Sequence, residues 1–233
     1  MSDHFRNIYS SKAVKYDALV SREDYQGNLL KTIQAIRPLD GLDVVEFGAG
    51  TGRLTHLIVP FVNSIRAFDA SAHMLEIART KLQASPYIGW ELAVADNRQM
   101  PVEDATADLT IAAWSFGHTT GWHPENWREE IGKAVREMLR ILKPSGTAII
   151  IETQGTGTPE PKPPSPLLAE YYTWLERIHG FTFQCISTDY EFASVEEAIE
   201  LTRFFYGDEM AARVERDQII KLPEFTGIWS KTL

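Results

Sequence analysis

One passage constrains the fold of this chain more than any other. The apolar run Asp43-Val44-Val45-Glu46-Phe47 passes directly into Gly48-Ala49-Gly50-Thr51-Gly52, and then into a helical pattern from Arg53 to Phe61. A strand, closely spaced glycines and a helix make a nucleotide-binding element. Glycine lets the backbone turn tightly and approach a ligand with no Cβ in the way. The helix N-terminus adds unpaired N–H groups for polar or anionic atoms. Several cofactor classes share this element, and the spacing separates them. The dinucleotide fingerprint requires a glycine at its sixth position, where this chain has Arg53. The phosphate-binding loop that ends in Gly-Lys-Ser/Thr is absent. What remains is an acid-x-Gly-x-Gly-x-Gly pattern: Glu46, Gly48, Gly50 and Gly52.

Downstream, short apolar runs alternate with helical spacing. Ser64 to Phe68 reads as a second strand ending at Asp69, and His73 to Gln83 as a helix with Met74, Ile77, Ala78 and Leu82 on one side. Ile88 to Ala95 and Asp108 to Trp114 read as strands, Trp127 to Leu142 as a helix, and Thr147 to Glu152 as a fifth strand. Lys143-Pro144-Ser145-Gly146 ends the helix, because Pro cannot continue it and Gly permits the turn. Strands that are apolar on both faces and separated by helices predict a parallel sheet with right-handed crossovers. The expected architecture is a doubly wound α/β fold, with ligands beyond the carboxyl ends of the strands.

Two flanks surround this 42–153 core. Residues 1–41 read as a helical cap with Tyr16, Leu19, Tyr25, Leu29, Leu30 and Ile33 as apolar contacts. Residues 154–233 complete the sheet and face the substrate: a Pro-rich loop over 155–166, a helix from Leu167 to Ile178, strand-like Phe181 to Ser187, and a helix capped by Ser194 with Glu197. Phe225 to Ser230 reads as a last strand, and the whole of 1–233 reads as one domain.

Composition narrows the function. The chain has 233 residues, 44% of them hydrophobic and 24% charged, which suits a full globular core. A formal net charge of −9 with no Lys/Arg cluster disfavours a nucleic-acid substrate, whose phosphates call for a basic face. The single cysteine, Cys185, reads as a small buried hydrophobe and fits a reducing compartment. Met1 to Arg6 lacks the apolar run of a signal peptide, and no stretch approaches the ~20 apolar residues of a membrane span. A cytoplasmic location is expected, with no metal; the oligomeric state is not readable.

The glycine pattern, Asp69 after the second strand, Asp96-Asn97 after the third, Met100-Pro101, and Leu142-Lys143-Pro144-Ser145-Gly146 occur in one order and spacing. Together they resemble the class I S-adenosylmethionine-dependent methyltransferases, in their small-molecule branch, over about residues 42–153. The resemblance implies a Rossmann-like fold, a mainly parallel seven-stranded sheet with helices on both faces, and S-adenosyl-L-methionine as methyl donor, with S-adenosyl-L-homocysteine as product. It implies that Asp69 takes the ribose hydroxyls, Asp96 the adenine amino group, and an N–H at Asn97 a ring nitrogen. Glu46, Gly48, Ala49, Gly50, Gly52, Ala70 and Trp114 would complete the cradle. Met74 would cover an adenine face and Tyr16, or alternatively Tyr25, would fold over the methionine end. Read alone, Asp69 fits a helix N-cap, Asp96 a turn and Met74 ordinary core packing.

The acceptor side is expected after the fourth strand. His118 is the candidate base, since a histidine titrates near neutrality, although a structural histidine fits as well; His123 is a weaker candidate. Trp114, Phe116 and Trp122 could present π faces to a cationic or aromatic acceptor, or simply pack beneath a loop. Tyr171, Tyr172, Trp174, Phe204, Phe205 and Tyr206, with the Pro-rich loop, are expected to form the opposite wall. The absence of an Asn/Asp-Pro-Pro-Tyr motif argues against methylation of planar amide or base nitrogens. The reading is a small-molecule methyltransferase acting on N or O. The alternatives are an RNA methyltransferase, a non-catalytic S-adenosylmethionine-binding protein, and a nicotinamide-dependent oxidoreductase.

Overall fold

A computed structural model describes Ile8 and residues 11–233. The sequence readings at Met1 to Arg6, and the first part of the helical cap, lie outside the described residues. The chain runs through α1 (Ala13–Val20), α2 (Asn28–Ile36), β1 (Asp43–Phe47), α3 (Arg53–Ile58), a 3₁₀ turn (Val59–Phe61), β2 (Ser64–Asp69), α4 (Ala72–Gln83), β3 (Trp90–Val94) and β4 (Ala107–Ala113). It continues with α5 (His118–Trp122), α6 (Trp127–Ile141), β5 (Leu142–Thr156), α7 (Pro166–Arg177), β6 (Thr182–Ser187), β7 (Tyr190–Glu191), α8 (Val195–Tyr206), α9 (Asp208–Asp217), β8 (Lys221–Leu222) and β9 (Glu224–Thr232).

Seven strands form one sheet in the order β3-β2-β1-β4-β5-β9-β6. The pairs among β1 to β5 are parallel, and β9 runs antiparallel between β5 and β6. Alternation along the strands explains why both faces are covered. Val45, Phe47, Ala148 and Ile150 enter one core with Trp127, Ile131, Val135 and Met138 of α6 and Tyr171 and Leu175 of α7. Their neighbours Val44, Ile149 and Ile151 enter the other, with Ile33 of α2, Leu54 and Ile58 of α3, and Leu75, Ala78 and Leu82 of α4. Each such buried aliphatic side chain contributes about 1.5–3 kcal/mol relative to exposure. A third cluster joins Leu19 of α1 to Tyr190, Phe192, Leu201, Val214 and Leu222, packing α1 against α8 and α9.

Caps set several helix starts. Ser71, Ser165 and Ser194 each accept a backbone N–H three residues on, from Met74, Leu168 and Glu197. The expected capping box closes one residue early: Glu197 Oε2 accepts the N–H of Ala193 at 2.6 Å. The Lys143-Pro144-Ser145-Gly146 segment departs from a plain helix stop. β5 begins at Leu142, and the register jumps from Ala107 opposite Leu142 to Leu109 opposite Thr147. The four residues therefore bulge out of the strand, with Ser145 at φ 65°. β5 also runs on to Thr156, so the expected loop begins inside a strand. Cys185 is half-buried on β6, at the sheet edge. Among the described residues, no helix is long and apolar enough to cross a membrane.

Candidate active site

A cavity of about 420 Å³ opens at the carboxyl ends of β1 to β4, where a doubly wound sheet places its ligands. Its lining includes Tyr16, Glu46, Gly48, Ala49, Gly50, Asp69, Ala70, Met74, Asp96, Asn97, Trp114 and His118. Gly52 alone of the expected cradle residues is not part of the lining. Its φ is +74°, and a Cβ there would lie 2.8 Å from Ala78 Cβ, so this glycine serves the packing of the loop on α4.

Gly48 and Gly50 shape the floor. Both have positive φ, and a Cβ on Gly48 would sit 2.1 Å from Ser115 Oγ. The N–H groups of Gly48 and Ala49 both donate to the Phe68 carbonyl, at 2.8 and 2.9 Å. Asp69 fastens the loop from the next strand. Its Oδ2 accepts the Gly50 N–H at 2.8 Å and its Oδ1 the Ser71 N–H at 2.7 Å. A carboxylate has about four lone-pair sites, so these two bonds leave acceptor capacity on both oxygens for a vicinal diol. Burial raises the Asp69 carboxyl above its ordinary pKa, and the two N–H bonds oppose that. Glu46 is buried and accepts the Thr55 hydroxyl at 2.5 Å; burial pushes its pKa up to about 7.

At the β3 end, Asp96 differs from the expected open acceptor. Arg98 donates to both of its oxygens, Nε to Oδ1 at 2.8 Å and Nη2 to Oδ2 at 2.5 Å, and also holds Glu130. These bonds keep the Asp96 carboxyl below its usual range. Asn97 donates through Nδ2 to Ser115 Oγ at 3.0 Å, while its Oδ1 is buried without a hydrogen-bond partner. At the other end, Tyr16 packs its ring 5.8 Å from Phe205, and burial pushes its hydroxyl well above the ordinary phenol range. Tyr25 is not part of the lining; it is exposed, with Lys221 over its ring.

His118 and His123 both line the cavity. His118 stacks on Trp122 at 5.4 Å and is hydrogen-bonded to the Trp114 backbone. Burial pushes its pKa down to about 4. The ring is therefore neutral at pH 7 and a weaker base than its ordinary value suggests. The opposite wall differs from expectation more sharply. Tyr171 and Tyr172 lie in the core against Trp127 and Trp229, and Tyr206 is hydrogen-bonded to Tyr190. None of Tyr171, Tyr172, Trp174, Phe204, Phe205 and Tyr206, nor the 155–166 loop, lines the cavity. Helical spacing turned α7 onto the sheet, and Phe205 reaches the site only through Tyr16. The cavity is lined beyond β4 by Trp114, Ser115, Phe116, Thr119 and Trp122 instead, with Ile131 and Ala134 of α6.

Arg53, Ser115, Arg98 and Glu130 also line the cavity and were not singled out for it from sequence. Arg53 adjoins the last glycine, a position that only flagged what the loop was not. The partners Arg98 and Glu130 lie 32 residues apart, with no motif to join them. Glycines bent to admit a ligand, a part-used buried carboxylate and one continuous cavity fit an adenosyl cofactor lying across β3, β2 and β1.

The strand order and the cavity at the carboxyl ends of β1 to β4 define a Rossmann-like, doubly wound α/β fold. Residues 45–150 match the family described as a methyltransferase domain. The YafE protein of Escherichia coli is 30% identical over 112 residues, covering 48% of this chain and 50% of that one. The ubiquinone/menaquinone biosynthesis C-methyltransferase UbiE of Idiomarina loihiensis is 29% identical over 153 residues, covering 63% and 57%. A solved S-adenosylmethionine-dependent methyltransferase from Aquifex aeolicus superposes with a TM-score of 0.60 at 17% identity, covering 94% of this chain and 96% of that one. Over residues 45–150 this chain is similar to a methyltransferase domain, and its fold is that of the solved methyltransferase. The chain spans about half the length of the curated relatives it matches.

Proposed function

We propose that this chain transfers the methyl group of S-adenosylmethionine to a nitrogen or oxygen of a small molecule. The observation that carries the reading is that one cavity joins the cradle around Asp69 and Gly50 to the wall around Trp114, Phe116 and Trp122. Donor and acceptor can meet there without crossing solvent. Bound in the cradle, the cofactor supplies a methyl group already activated by its sulfonium. The protein's task is then orientation and exclusion of water, which can carry much of the barrier reduction.

In this reading residues 42–153 hold the donor. Asp69 takes the ribose hydroxyls, and Asp96 and Asn97 border the adenine. Neutral His118 orients the acceptor and receives its proton where one must leave. A net charge of −9 supports a small molecule over RNA, and a single cysteine suits work in the cytoplasm. A second reading, methylation at carbon of an electron-rich ring, is favoured by relatives named as quinone-pathway C-methyltransferases.

The test is a methyl-transfer screen over metabolite classes, with S-adenosylhomocysteine release as the signal. Turnover of an amine, alcohol or phenol that falls in His118→Asn supports the proposal. Turnover only of ring carbons favours the second reading. Binding of the cofactor with no turnover of any class favours a non-catalytic binding protein.

A further inference from the structure

The strand order gives the cavity a direction. Asp96 follows β3, Asp69 ends β2, the glycine loop follows β1 and Trp114 follows β4, and these strands are adjacent in the order β3-β2-β1-β4. A ligand with its adenine at Asp96 and its ribose at Asp69 must extend its amino-acid end toward β1 and β4. The cationic side chains of the lining are Arg98 and Arg53. Arg98 stands at the adenine end and is spent on Asp96 and Glu130. Arg53 stands at the other end.

Two contacts hold the Arg53 guanidinium in place. It lies 4.4 Å from the Trp114 ring centroid. Its Nη1 donates to Glu23 Oε2 at 2.7 Å. That same oxygen accepts the Tyr190 hydroxyl at 3.0 Å, which ties the pair to the C-terminal half. Its Nη2, by contrast, is buried and has no hydrogen-bond partner. A buried N–H on a charged group left unpaired is costly, and its natural complement is an anionic oxygen.

We propose that Arg53 is the carboxylate-binding residue of the donor site, with Nη2 donating to the α-carboxylate of S-adenosylmethionine. This rests on the methyltransferase reading above. Arg53 occupies the position where a dinucleotide fold would carry glycine, so the same residue that excludes that fingerprint anchors the far end of this cofactor. The stacking on Trp114 fixes the guanidinium plane and limits the entropy lost on binding.

Calorimetry with S-adenosylmethionine and with decarboxylated S-adenosylmethionine isolates the contact, because the two ligands differ in the carboxylate. Wild type is expected to bind the carboxylate-bearing ligand roughly tenfold or more tightly. Arg53→Gln is expected to abolish that preference by weakening S-adenosylmethionine while leaving the decarboxylated ligand unchanged. Because Arg53→Gln strands the buried Glu23 charge, the double variant Arg53→Gln/Glu23→Gln is measured beside it, with thermal melting to establish folding. Equal weakening of both ligands, or no weakening of either, in the folded double variant would overturn the proposal and leave Arg53 a structural partner of Glu23. Failure of wild type to bind either ligand would instead overturn the methyltransferase reading on which the proposal rests.

Discussion

Asp69 Oδ2 accepts the Gly50 backbone N–H at 2.8 Å, so the carboxylate that ends β2 also fastens the loop that follows β1. Asp69→Ala should therefore remove the ribose acceptors and loosen the loop together. S-adenosylhomocysteine affinity should fall by roughly tenfold or more, since hydrogen bonds to a charged group are worth about 1.5–3 kcal/mol. Asp96→Ala should cost less, because its side chain is half exposed and already bound to Arg98. Calorimetry on the two variants checks the order; a larger loss in Asp96→Ala would mean that the ribose and adenine assignments need exchanging.

Gly48 cannot accept a side chain. Alanine would add a left-handed backbone penalty of about 1–2 kcal/mol to the collision with Ser115 Oγ at 2.1 Å and Cβ at 2.6 Å. Gly48→Ala should lower the melting temperature and abolish cofactor binding. Adding Ser115→Gly removes both colliding atoms and should restore part of the stability. No restoration in the double variant would place the constraint in the backbone alone.

Buried Glu152 gives a pH dependence. Its Oε1 accepts the Gly117 N–H at 2.7 Å, between the cavity-lining residues Phe116 and His118, and burial pushes its pKa from 4.5 up to about 8. Between these values the folded chain holds a proton that the unfolded chain has released. Raising the pH through this window favours unfolding, so the stability from this group is complete below 4.5 and lost as pH rises through 8. Glu152→Gln keeps an oxygen for Gly117 and has no proton to lose. Urea unfolding should show the variant gaining on wild type between pH 5 and pH 8. A constant difference across that range would mean that Glu152 is ionised throughout.

The relocated wall makes a paired prediction. Trp122 lines the cavity, while Phe204 lies in a separate surface groove with Lys15. With an acceptor from the screen, Trp122→Ala should raise its KM several-fold at unchanged S-adenosylhomocysteine affinity. Phe204→Ala should leave both constants alone. The reverse pattern would return the acceptor to α8.

What could be read in the sequence follows from physical range. β1, β2, β4 and β5 are legible because they bury apolar side chains in both cores, and edge strand β3 and short α5 carry weaker signals: β3 leaves Val94 exposed and α5 buries Thr120 alone. The cradle is legible because its residues sit at strand ends, where position in the chain fixes position in space. The aromatic segments were not: Tyr171 and Phe204 lie near each other in kind, but the face each helix presents is set by what it packs on. α9, with the sequence Asp208 to Asp217, hides its few apolar residues among charges and buries Ala211 and Val214. The two-residue strands β7 and β8 carry too little pattern to detect. The Arg53–Glu23 pair links residues 30 apart across two elements, and only the folded chain brings them together.

The most direct measurement is calorimetric titration of this chain with S-adenosylhomocysteine and, separately, with NAD. Saturable binding of S-adenosylhomocysteine that weakens roughly tenfold or more in Asp69→Ala, with no response to NAD, is the predicted result. Binding of NAD with no response to S-adenosylhomocysteine would contradict the account.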